Sequence, residues 1–359
     1  MGIFDVAFLV SAVTIAAPIL LAATGELVSE KAGVINVGLE GVMLTGAFTA
    51  YWTMIGTGNM FVSFLGGLAG GLLFGVLMSV LAIEAKVDQI VSGIAIGLLG
   101  YGITTFLNSD AIKDPKTLAP MQRHGIPGLE HLPVVGQALF NQDVFIYVTA
   151  VVVVLVALAM TRTTWGVNLK AVGETPIAAD AAGVSVRGLR WAATVFSAGC
   201  AGLAGAYLSI GDVGVFRESM TGGRGYLALA AVLFSRWRLG GVGLAVTIFA
   251  VTDATQLRLQ ALGEIPREVW IAAALIVVVV LALRARVRAS IRLTSGDAFI
   301  GVVLIALVVT VIAAPKTTLP VPLWLAMPYV LALVALATAG NTRNQAPTAL
   351  AIPYLRSET

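Results

Sequence analysis

Long stretches without any charged residue constrain this chain more than any other feature of its sequence. Val6–Gly25, Gln89–Ser109 and Val144–Thr161 contain no Asp, Glu, Lys or Arg and consist mostly of apolar residues. A helix that crosses the hydrocarbon core of a bilayer needs about 20 predominantly apolar residues. Each stretch therefore predicts one transmembrane helix, and a chain with several of them is predicted to be a polytopic membrane protein.

The overall composition supports the same interpretation. Of the 359 residues, 58% are hydrophobic and 11% are charged, whereas soluble domains carry about 25% charged residues. The single Cys200 excludes an internal disulfide framework, and a net charge of +3 provides no basic stripe for nucleic acid. His124 and His131 lie apart from cysteines and carboxylate clusters, so no metal site is predicted. The chain has no glycine-rich Lys-Ser/Thr loop for ATP, and we expect no cofactor in it.

Charge-free segments along the whole chain predict about 9–11 transmembrane helices. Besides the three stretches above, the candidate spans are 33–56, 60–83, 192–211, 225–235, 239–257, 269–283, 298–314 and 323–340. The span 225–235 is too short to cross unless Arg224 itself enters the membrane. Lys and Arg concentrate in cytoplasmic loops, and an outer N-terminus with a cytoplasmic C-terminus places 14 of the 22 basic residues inside.

The segment 162–190 is the longest loop predicted on the cytoplasmic side. Pro176 suits the first turn of a helix, Thr175 suits its N-cap, and Gly183 suits the position after its end. We therefore predict a short helix that lies on the cytoplasmic face. The residues alone leave two interpretations open, a solvated connector and a docking helix for a cytosolic partner.

Two glycine-flanked charges share a local pattern. Residues 38–41 read Gly-Leu-Glu-Gly and residues 222–225 read Gly-Gly-Arg-Gly, and each group opens a hydrophobic stretch. Internal repeats are common in transport proteins, whose substrate path lies near the repeat interface, and charges within the bilayer usually pair. We interpret the two groups as the starts of broken helices. Glu40 and Arg224 then form either a structural clamp or part of the substrate path.

Other candidates for the substrate path are polar or aromatic residues near these groups or on a later span. They are Asn36, Phe48, Phe216, Tyr226, Asp253 and Gln256. Aromatic rings can stack on a nucleobase, while Asp253 and Gln256 fall on one helix face. The alternatives are membrane-interface anchoring for the aromatic residues and a polar patch at the end of a span for the other two.

Several motifs resemble those of one transporter family. Gly-Glu-Thr-Pro-x-Ala-Ala-x-x-Ala-Gly-Val at 173–184 resembles the coupling-helix segment of ABC importer permeases in the branched-chain amino acid, ribose and nucleoside group. The segments 33–48, 88–96 and 221–231 are similar to three further motifs of that group. Together with Met-Pro-Tyr at 327–329 and Ala-Pro-x-Ala-Leu at 346–350, they most resemble the nucleoside permeases.

The resemblance implies the membrane-spanning subunit of an ATP-driven importer in the bacterial inner membrane, with nucleosides as solute. A sugar or a branched-chain amino acid is the alternative. It also implies three partners: a cytosolic ABC ATPase that binds ATP, a periplasmic or lipid-anchored binding protein, and a second, related permease chain. No catalytic residue is expected. The residues implied in coupling to the ATPase are Glu174, Thr175, Pro176, Ala178, Ala179, Asp180 and Gly183.

The chain departs from the family pattern between 265 and 320, where two extra hydrophobic segments enclose a basic loop. The arginines of this loop are Arg284, Arg286, Arg288 and Arg292. We predict a permease core at 1–264, an extra transmembrane hairpin at 265–320 whose cytoplasmic loop contacts membrane lipids, and a last helix with a cytoplasmic tail at 321–359.

Two functions other than that of an ABC permease are possible for a polytopic membrane protein of this kind. An ion-coupled secondary transporter would use Glu40 or Asp253, but it has no need of a folded segment at 162–190. A membrane-embedded enzyme would need a nucleophile, a metal cluster or an acid–base pair, and the sequence offers no convincing one.

Overall fold

The computed structural model describes residues 5–111, 117–130, 132–133, 135–262, 271 and 346–354. These residues belong to two units, one with residues up to 250 and the C-terminal residues 346–354, the other represented by 251–262 and Ile271. Apart from Ile271, the predicted hairpin at 265–320 and the last predicted span lie outside the described residues.

The described residues form eleven α-helices and one short hairpin. The helices are α1 Val6–Lys31, α2 Leu39–Thr57, α3 Met60–Ser79, α4 Gln89–Ala111, α5 Val135–Phe140, α6 Val144–Arg162, α7 Thr164–Glu174, α8 Pro176–Ala181, α9 Val186–Ala206, α10 Arg224–Phe234 and α11 Leu239–Leu262. π-Helical turns extend α3 over Val80–Glu84 and α9 over Tyr207–Val213. Strands β1 Arg123–Gly125 and β2 Asn141–Asp143 pair antiparallel, with His124 opposite Gln142.

Six helices of the described residues are long and apolar enough to cross a bilayer. They are Val6–Lys31, Met60–Glu84, Gln89–Ser109, Val144–Arg162, Val186–Val213 and Leu239–Ala261. Helix α2, with 19 residues, has the length of a span, whereas α10 has only 11. Every span predicted before residue 264 overlaps one of these helices. The prediction of an all-α polytopic membrane protein is confirmed, and its orientation stays a prediction.

Short polar side chains mark several helix starts. Asp5, Asn59, Asp143 and Ser185 each precede a helix and accept a hydrogen bond of 2.9–3.2 Å from the backbone N–H three residues later. Such a bond satisfies a donor that has no partner within the helix. Helix α10 differs, because its N-cap is Gly223, at φ +83°, which has no side chain to accept a bond.

Helices α1, α2, α3 and α9 pack against one another at the centre of the first unit. Glycines set the distance between them: a Cβ added at Gly46 would lie 2.5 Å from the Cα of Gly202 in α9, and one at Gly41 would lie 2.5 Å from the carbonyl O of Gly97 in α4. Small residues let helix backbones approach closely, and in a membrane this packing holds helices together.

Two helices begin inside this bundle. The chain between α1 and α2 turns back along α1, since the backbone N–H of Asn36 donates to Glu26, ten residues earlier, over 2.8 Å. Asn36 and Leu39 are 0% and 1% exposed. The chain after α9 also returns into the bundle, where Phe216 and Gly225 are buried. We call residues 36–41 and 221–225 the interior helix starts, and they are the broken-helix positions that the repeat pattern predicted.

Candidate functional site

The two interior helix starts contact each other through one carboxylate. Glu40 lies in the first turn of α2 and is half-buried. Its Oε1 accepts hydrogen bonds from the Thr221 hydroxyl over 2.6 Å and from the backbone N–H of Gly223 over 2.7 Å. Its Oε2 accepts from the backbone N–H of Gly225 over 2.7 Å. Glu40 therefore caps α10 from another helix, with its negative charge where the helix dipole favours an anion.

Arg224 is the first residue of α10, between the two glycines that Glu40 holds. Its Nη1 donates to the carbonyl oxygens of Met220 and Thr221 over 3.4 and 3.3 Å. Among the described residues, the hydrogen bonds of Glu40 go to Thr221 and to the backbone rather than to the guanidinium. The structure thus brings together the two charged segments paired in the sequence, and their contact runs through the backbone of the turn that carries Arg224.

Asn36 precedes α2 and is held from two sides. Its Oδ1 accepts from the backbone N–H of Gly38 over 3.0 Å, and its own N–H donates to Glu26. The second oxygen of Glu26 accepts from the Ser197 hydroxyl of α9 over 2.8 Å. The Nδ2 of Asn36 is buried and has no hydrogen-bond partner among the described residues. Such a buried donor is unusual in a folded protein, which makes Asn36 a candidate for contact with solute.

The predicted aromatic residues separate into two groups. Phe48 of α2 and Phe216 are buried and contact each other edge to face, with ring centroids 5.4 Å apart and an interplanar angle of 79°. They belong to one apolar cluster with Tyr51 and Ile210. Tyr226 of α10 is instead 51% exposed. The structure therefore places one aromatic pair in the bundle and leaves Tyr226 on its surface.

The two remaining path candidates lie on the second half of α11, in the other unit. Gln256 is buried, and its Nε2 donates to the Oε1 of Gln260 over 3.4 Å. Asp253 lies three residues before it and is half-buried. The shared helix face that the spacing predicted is present, and membership of the substrate path stays a prediction for both residues.

Two buried carboxylates were missed by the sequence analysis. The first span was predicted to end at Gly25, but α1 continues to Lys31, and Glu26 and Glu30 are both fully buried. The Oε2 of Glu30 accepts from the indole N–H of Trp237 over 2.5 Å. Carboxylates are expensive in an apolar environment and usually mark the end of a span, which explains the error. Their spacing of four residues, which puts both on one helix face, was the available signal.

The predicted docking segment 162–190 folds into α7, α8 and the start of α9. Pro176 opens α8 and Thr175 is its N-cap, and Gly183 follows the helix at φ +83°, as predicted. Between residues 174 and 183, the exposed residues are Glu174, Thr175, Ile177, Ala178, Ala181, Ala182 and Gly183. Ala179 differs: it is 4% exposed and packs with Val172 and Val186. Its side chain anchors α8 to the bundle, so it is not presented to a partner.

The C-terminal segment 346–354 lies against the end of α7. The Oε2 of Glu174 accepts from the backbone N–H and the hydroxyl of Thr348 over 3.2 and 2.8 Å. The backbone N–H of Ala349 donates to the carbonyl O of Gly173 over 2.9 Å. Glu174, predicted to contact the ATPase, thus holds the C-terminal segment beside α8 in this structure.

Arg190 of α9 ties the same segment to α1. The residue is 2% exposed. Its guanidinium donates to the carbonyl oxygens of Ala32, Ala349 and Ile352 over 3.1, 3.5 and 2.9 Å. A guanidinium can serve several acceptors at once because its five N–H donors form a rigid planar fork. The role of Arg190 was not predicted from the sequence, because its carbonyl partners are far away along the chain.

Comparison with known proteins identifies the family. Residues 8–308 match the family described as branched-chain amino acid transport system / permease component. The chain is 38% identical over 262 residues to the putative glucose ABC transporter permease protein TsgC13 of Haloferax volcanii, which covers 72% of this chain and 80% of that protein. No solved structure gives a significant match.

Two further relatives carry nucleoside names. The guanosine ABC transporter permease protein NupQ of Bacillus subtilis is 32% identical over 242 residues, which cover 64% of this chain and 76% of that protein. The nucleoside ABC transporter permease protein NupC of Lactococcus lactis is 31% identical over 261 residues, which cover 69% and 82%. Together with the membrane-spanning helices, these matches show that the chain belongs to the branched-chain amino acid transport system permease family and is a multi-pass, inner-membrane permease subunit of an ABC transporter.

Proposed function

We propose that this permease imports nucleosides, which a binding protein delivers at its outer mouth and which it releases to the cytoplasm by alternating access. A separate cytosolic ATPase binds and hydrolyses ATP and docks on α8. The observation that carries the proposal is the two-sided packing of α8, in a chain of the permease family. One side anchors the helix to the bundle through Ala179, and the other presents apolar surface.

The outer side of α8 fits a groove in a partner. Ile177 is 72% exposed and stands beside the exposed Ala178. Short apolar helix faces that dock in grooves are a recurring mode of recognition. The C-terminal segment ties the end of α7, next to α8, to the end of α1. The backbone N–H of Ala349 donates to the carbonyl O of Gly173 in α7, and that of Ala351 donates to the carbonyl O of Gly33, just after α1. Movement imposed on α8 would therefore be passed to α1 and α9.

Substitutions on the two sides of α8 test this docking surface. Ile177→Asp should abolish transport and substrate-stimulated ATP hydrolysis in the assembled transporter while the thermal stability of the permease stays unchanged. The conservative control Ile177→Leu should retain both activities. Ala179→Arg should instead lower the stability of the permease itself, because the new charge enters a buried cluster. Normal transport by Ile177→Asp at normal expression would rule out docking through α8.

Nucleosides are the proposed solute because two relatives bear that name and because the bundle holds a buried aromatic pair beside α2. Stacking of an aromatic side chain on a base contributes about 1–3 kcal/mol where it has been measured. Phe48 and Phe216 contact each other in this conformation. The proposal therefore requires the two rings to separate when the outer path opens. Asn36, just before α2, and Glu40, in its first turn, are further candidates for the path.

Solute identity can be measured in proteoliposomes that contain the whole transporter and its binding protein. Uptake of labelled guanosine or uridine should be saturable and should not be reduced by excess glucose. Phe216→Leu should raise the KM for nucleosides roughly tenfold if a stacking contact is lost. The control Phe234→Leu changes a ring of α10 that contacts Phe249 edge to face instead, and it should leave the KM unaltered. Equal effects of both variants would remove Phe216 from the path.

Glucose is the second candidate solute, because the relative at 38% identity is named as a putative glucose permease. The same experiment separates the two candidates. Saturable glucose uptake that guanosine does not inhibit would establish the sugar and reject the nucleoside. ATP depletion should stop uptake of either solute, while collapse of the proton and sodium gradients should not; the opposite pattern would establish an ion-coupled carrier.

We further propose that a related permease, rather than a second copy of this chain, completes the transporter. Haloferax volcanii has two glucose-named permeases that resemble the chain, TsgC13 at 38% and TsgB13 at 26% identity. Lactococcus lactis has two nucleoside-named permeases, NupC at 31% and NupB at 22%. Two differently tagged copies of this chain should not co-purify after co-expression, whereas the chain should co-purify with a co-expressed related permease. Stable pairing of the two copies alone would reject the heterodimer.

A further inference from the structure

A groove of about 730 Å³ opens on the side of the first unit, between α1, α6 and the start of α11. Its apolar lining consists of Leu20, Val153, Ala157, Met160 and Leu239. The neighbouring α6 residues Val154, Leu155 and Leu158 are 50–58% exposed. An apolar helix face with that exposure is the face that a spanning helix turns toward lipid, so the groove opens toward the bilayer.

Glycines leave part of the groove empty. Gly240 and Gly243, one turn apart at the start of α11, line it. A Cβ built on either residue meets no described atom within 4 Å. Elsewhere in the bundle, glycines such as Gly41 and Gly46 are filled by a neighbouring backbone. The two glycines of α11 therefore widen a groove that no other described residue occupies.

One end of the groove is strongly basic. Lys31, Lys170 and Arg238 all line it, and none of their side chains makes a hydrogen bond or an ion pair with another described residue. The charges of Lys170 and Arg238 repel that of Lys31, whereas the charges of Glu174 and Glu30 attract it. Three cations gathered at the end of an apolar groove are the electrostatic complement of an anionic group that carries a hydrocarbon chain.

A rigid corner places Arg238 at this end. The two residues before it, Arg236 and Trp237, adopt φ of +53° and +55°, which residues with side chains rarely do. The indole of Trp237 is buried and donates to Glu30 of α1. This bond fixes the corner to the same helix that supplies Lys31, so two of the three cations are held by one structural unit.

We propose that this groove binds one anionic phospholipid of the adjacent leaflet, with its phosphate at Lys31, Lys170 and Arg238 and an acyl chain along the wall between α6 and α11. Basic pockets between transmembrane helices recognise anionic headgroups in this way. The proposal depends only on the chain's being an integral membrane protein. It stands or falls separately from the solute and from the docking of the ATPase.

Lipid retention in the purified transporter tests the basic end. Reconstituted with equal amounts of phosphatidylglycerol and phosphatidylcholine, then extracted in mild detergent, the transporter should retain phosphatidylglycerol, as measured by native mass spectrometry. Lys31→Gln, Lys170→Gln and Arg238→Gln should each weaken retention about fivefold, and the triple variant about a hundredfold, at about 1 kcal/mol per charge. Lys86→Gln, which removes an exposed cation outside the groove, should have no effect.

Filling the groove with a side chain tests whether an acyl chain occupies it. Gly243→Leu places a side chain in the open space and should reduce phosphatidylglycerol retention at least tenfold without loss of thermal stability. The matched control is Gly102→Leu, since Gly102 of α4 is another helical glycine with no described atom within 4 Å of an added Cβ. It should retain lipid as the unaltered chain does.

Four results would overturn the proposal. Equal retention of phosphatidylcholine would show that the basic end selects nothing, and displacement of the lipid by millimolar inorganic phosphate would point to a free anion. Unchanged retention of phosphatidylglycerol by Gly243→Leu would place the lipid outside the groove. Absence of any lipid from the assembled transporter would mean that protein, either another segment of this chain or the second permease, fills the space.

Discussion

The two interior helix starts are both held by a carboxylate, but the two carboxylates are used differently. Glu26 of α1 holds the segment before α2 with one backbone N–H on its first oxygen and the Ser197 hydroxyl on its second. Glu40 holds the start of α10 with two backbone N–H groups and a hydroxyl shared between its oxygens. Both ends need such a partner, because no water within a bilayer can satisfy free backbone groups.

The two sites differ in whether their partners can change from hydrogen-bond donor to acceptor. The Ser197 hydroxyl donates to the second oxygen of Glu26, but a hydroxyl can also accept, so it could bind an amide N–H₂ at that position instead. A backbone N–H only donates, and one such group points at each oxygen of Glu40. Glu40 must therefore be a full acceptor at both atoms, while Glu26 needs to be one at a single atom. The comparison teaches that Glu26 and Glu40 have unequal tolerance to the same isosteric change.

The largest expected effect follows from Glu40→Gln. Either orientation of the amide directs an N–H₂ group at a backbone N–H of Gly223 or Gly225, so one donor loses its partner and faces another donor. We expect the free energy of unfolding to fall by about 3 kcal/mol, in the range for a buried bond to a charged group plus an orphaned donor. Thermal unfolding in detergent measures it. A loss below about 1 kcal/mol would mean that Glu40 does not cap α10.

A second expected loss of stability concerns the close contact between α2 and α10. In Gly225→Ala the new Cβ would lie 2.5 Å from the backbone N and Cα of Glu40, and neither atom can move without displacing α2. Overpacking of this kind costs about 1–3 kcal/mol. Gly102→Ala, at a helical glycine in open space, serves as control and should be neutral or stabilising. Similar unfolding temperatures for the two variants would contradict the close approach of α2 and α10.

Thr221→Val should have a smaller effect than either. The substitution removes the hydroxyl that donates to Glu40 but leaves both backbone bonds in place. We expect a loss of about 1 kcal/mol, typical of one hydrogen bond. In the background of Glu40→Gln the loss should shrink, because the two changes affect one network, and a double-mutant cycle measures that coupling. Strict additivity would show that Thr221 and Glu40 act separately.

Glu26→Gln should have the smallest effect of the series. The amide oxygen can still accept from the backbone of Asn36, and the N–H₂ group can donate to the Ser197 hydroxyl, which reverses its own bond. We expect a change in the free energy of unfolding of less than about 1 kcal/mol. Thermal unfolding measured beside Glu40→Gln gives the comparison directly. An equally large loss from both variants would show that charge, rather than hydrogen-bond direction, decides the role of Glu26.

Much of the fold could be predicted, but the contacts at the site could not. Apolar stretches located α4 and α6 to within a residue or two, and Pro176 with Gly183 located α8. The repeat of glycine-flanked charges predicted that Glu40 and Arg224 would lie near each other. It did not predict that Glu40 would bind backbone N–H groups, because the donors become available only where a helix begins inside the bundle.

The amino-acid sequence by itself determined which segments are long and apolar enough to cross the membrane and that a short helix begins at Pro176, since the apolar length of a span and the start and end of a helix depend on neighbouring residues. Only the tertiary structure decided that Glu26 and Glu30 stay inside α1, that Ala179 faces the bundle, and that Arg190 serves carbonyl groups of distant segments. The physical reason is that a buried charge is tolerated only with hydrogen-bond partners. Except for Asn36, which lies ten residues from Glu26, those partners come from segments more than a hundred residues away, and folding alone brings them together.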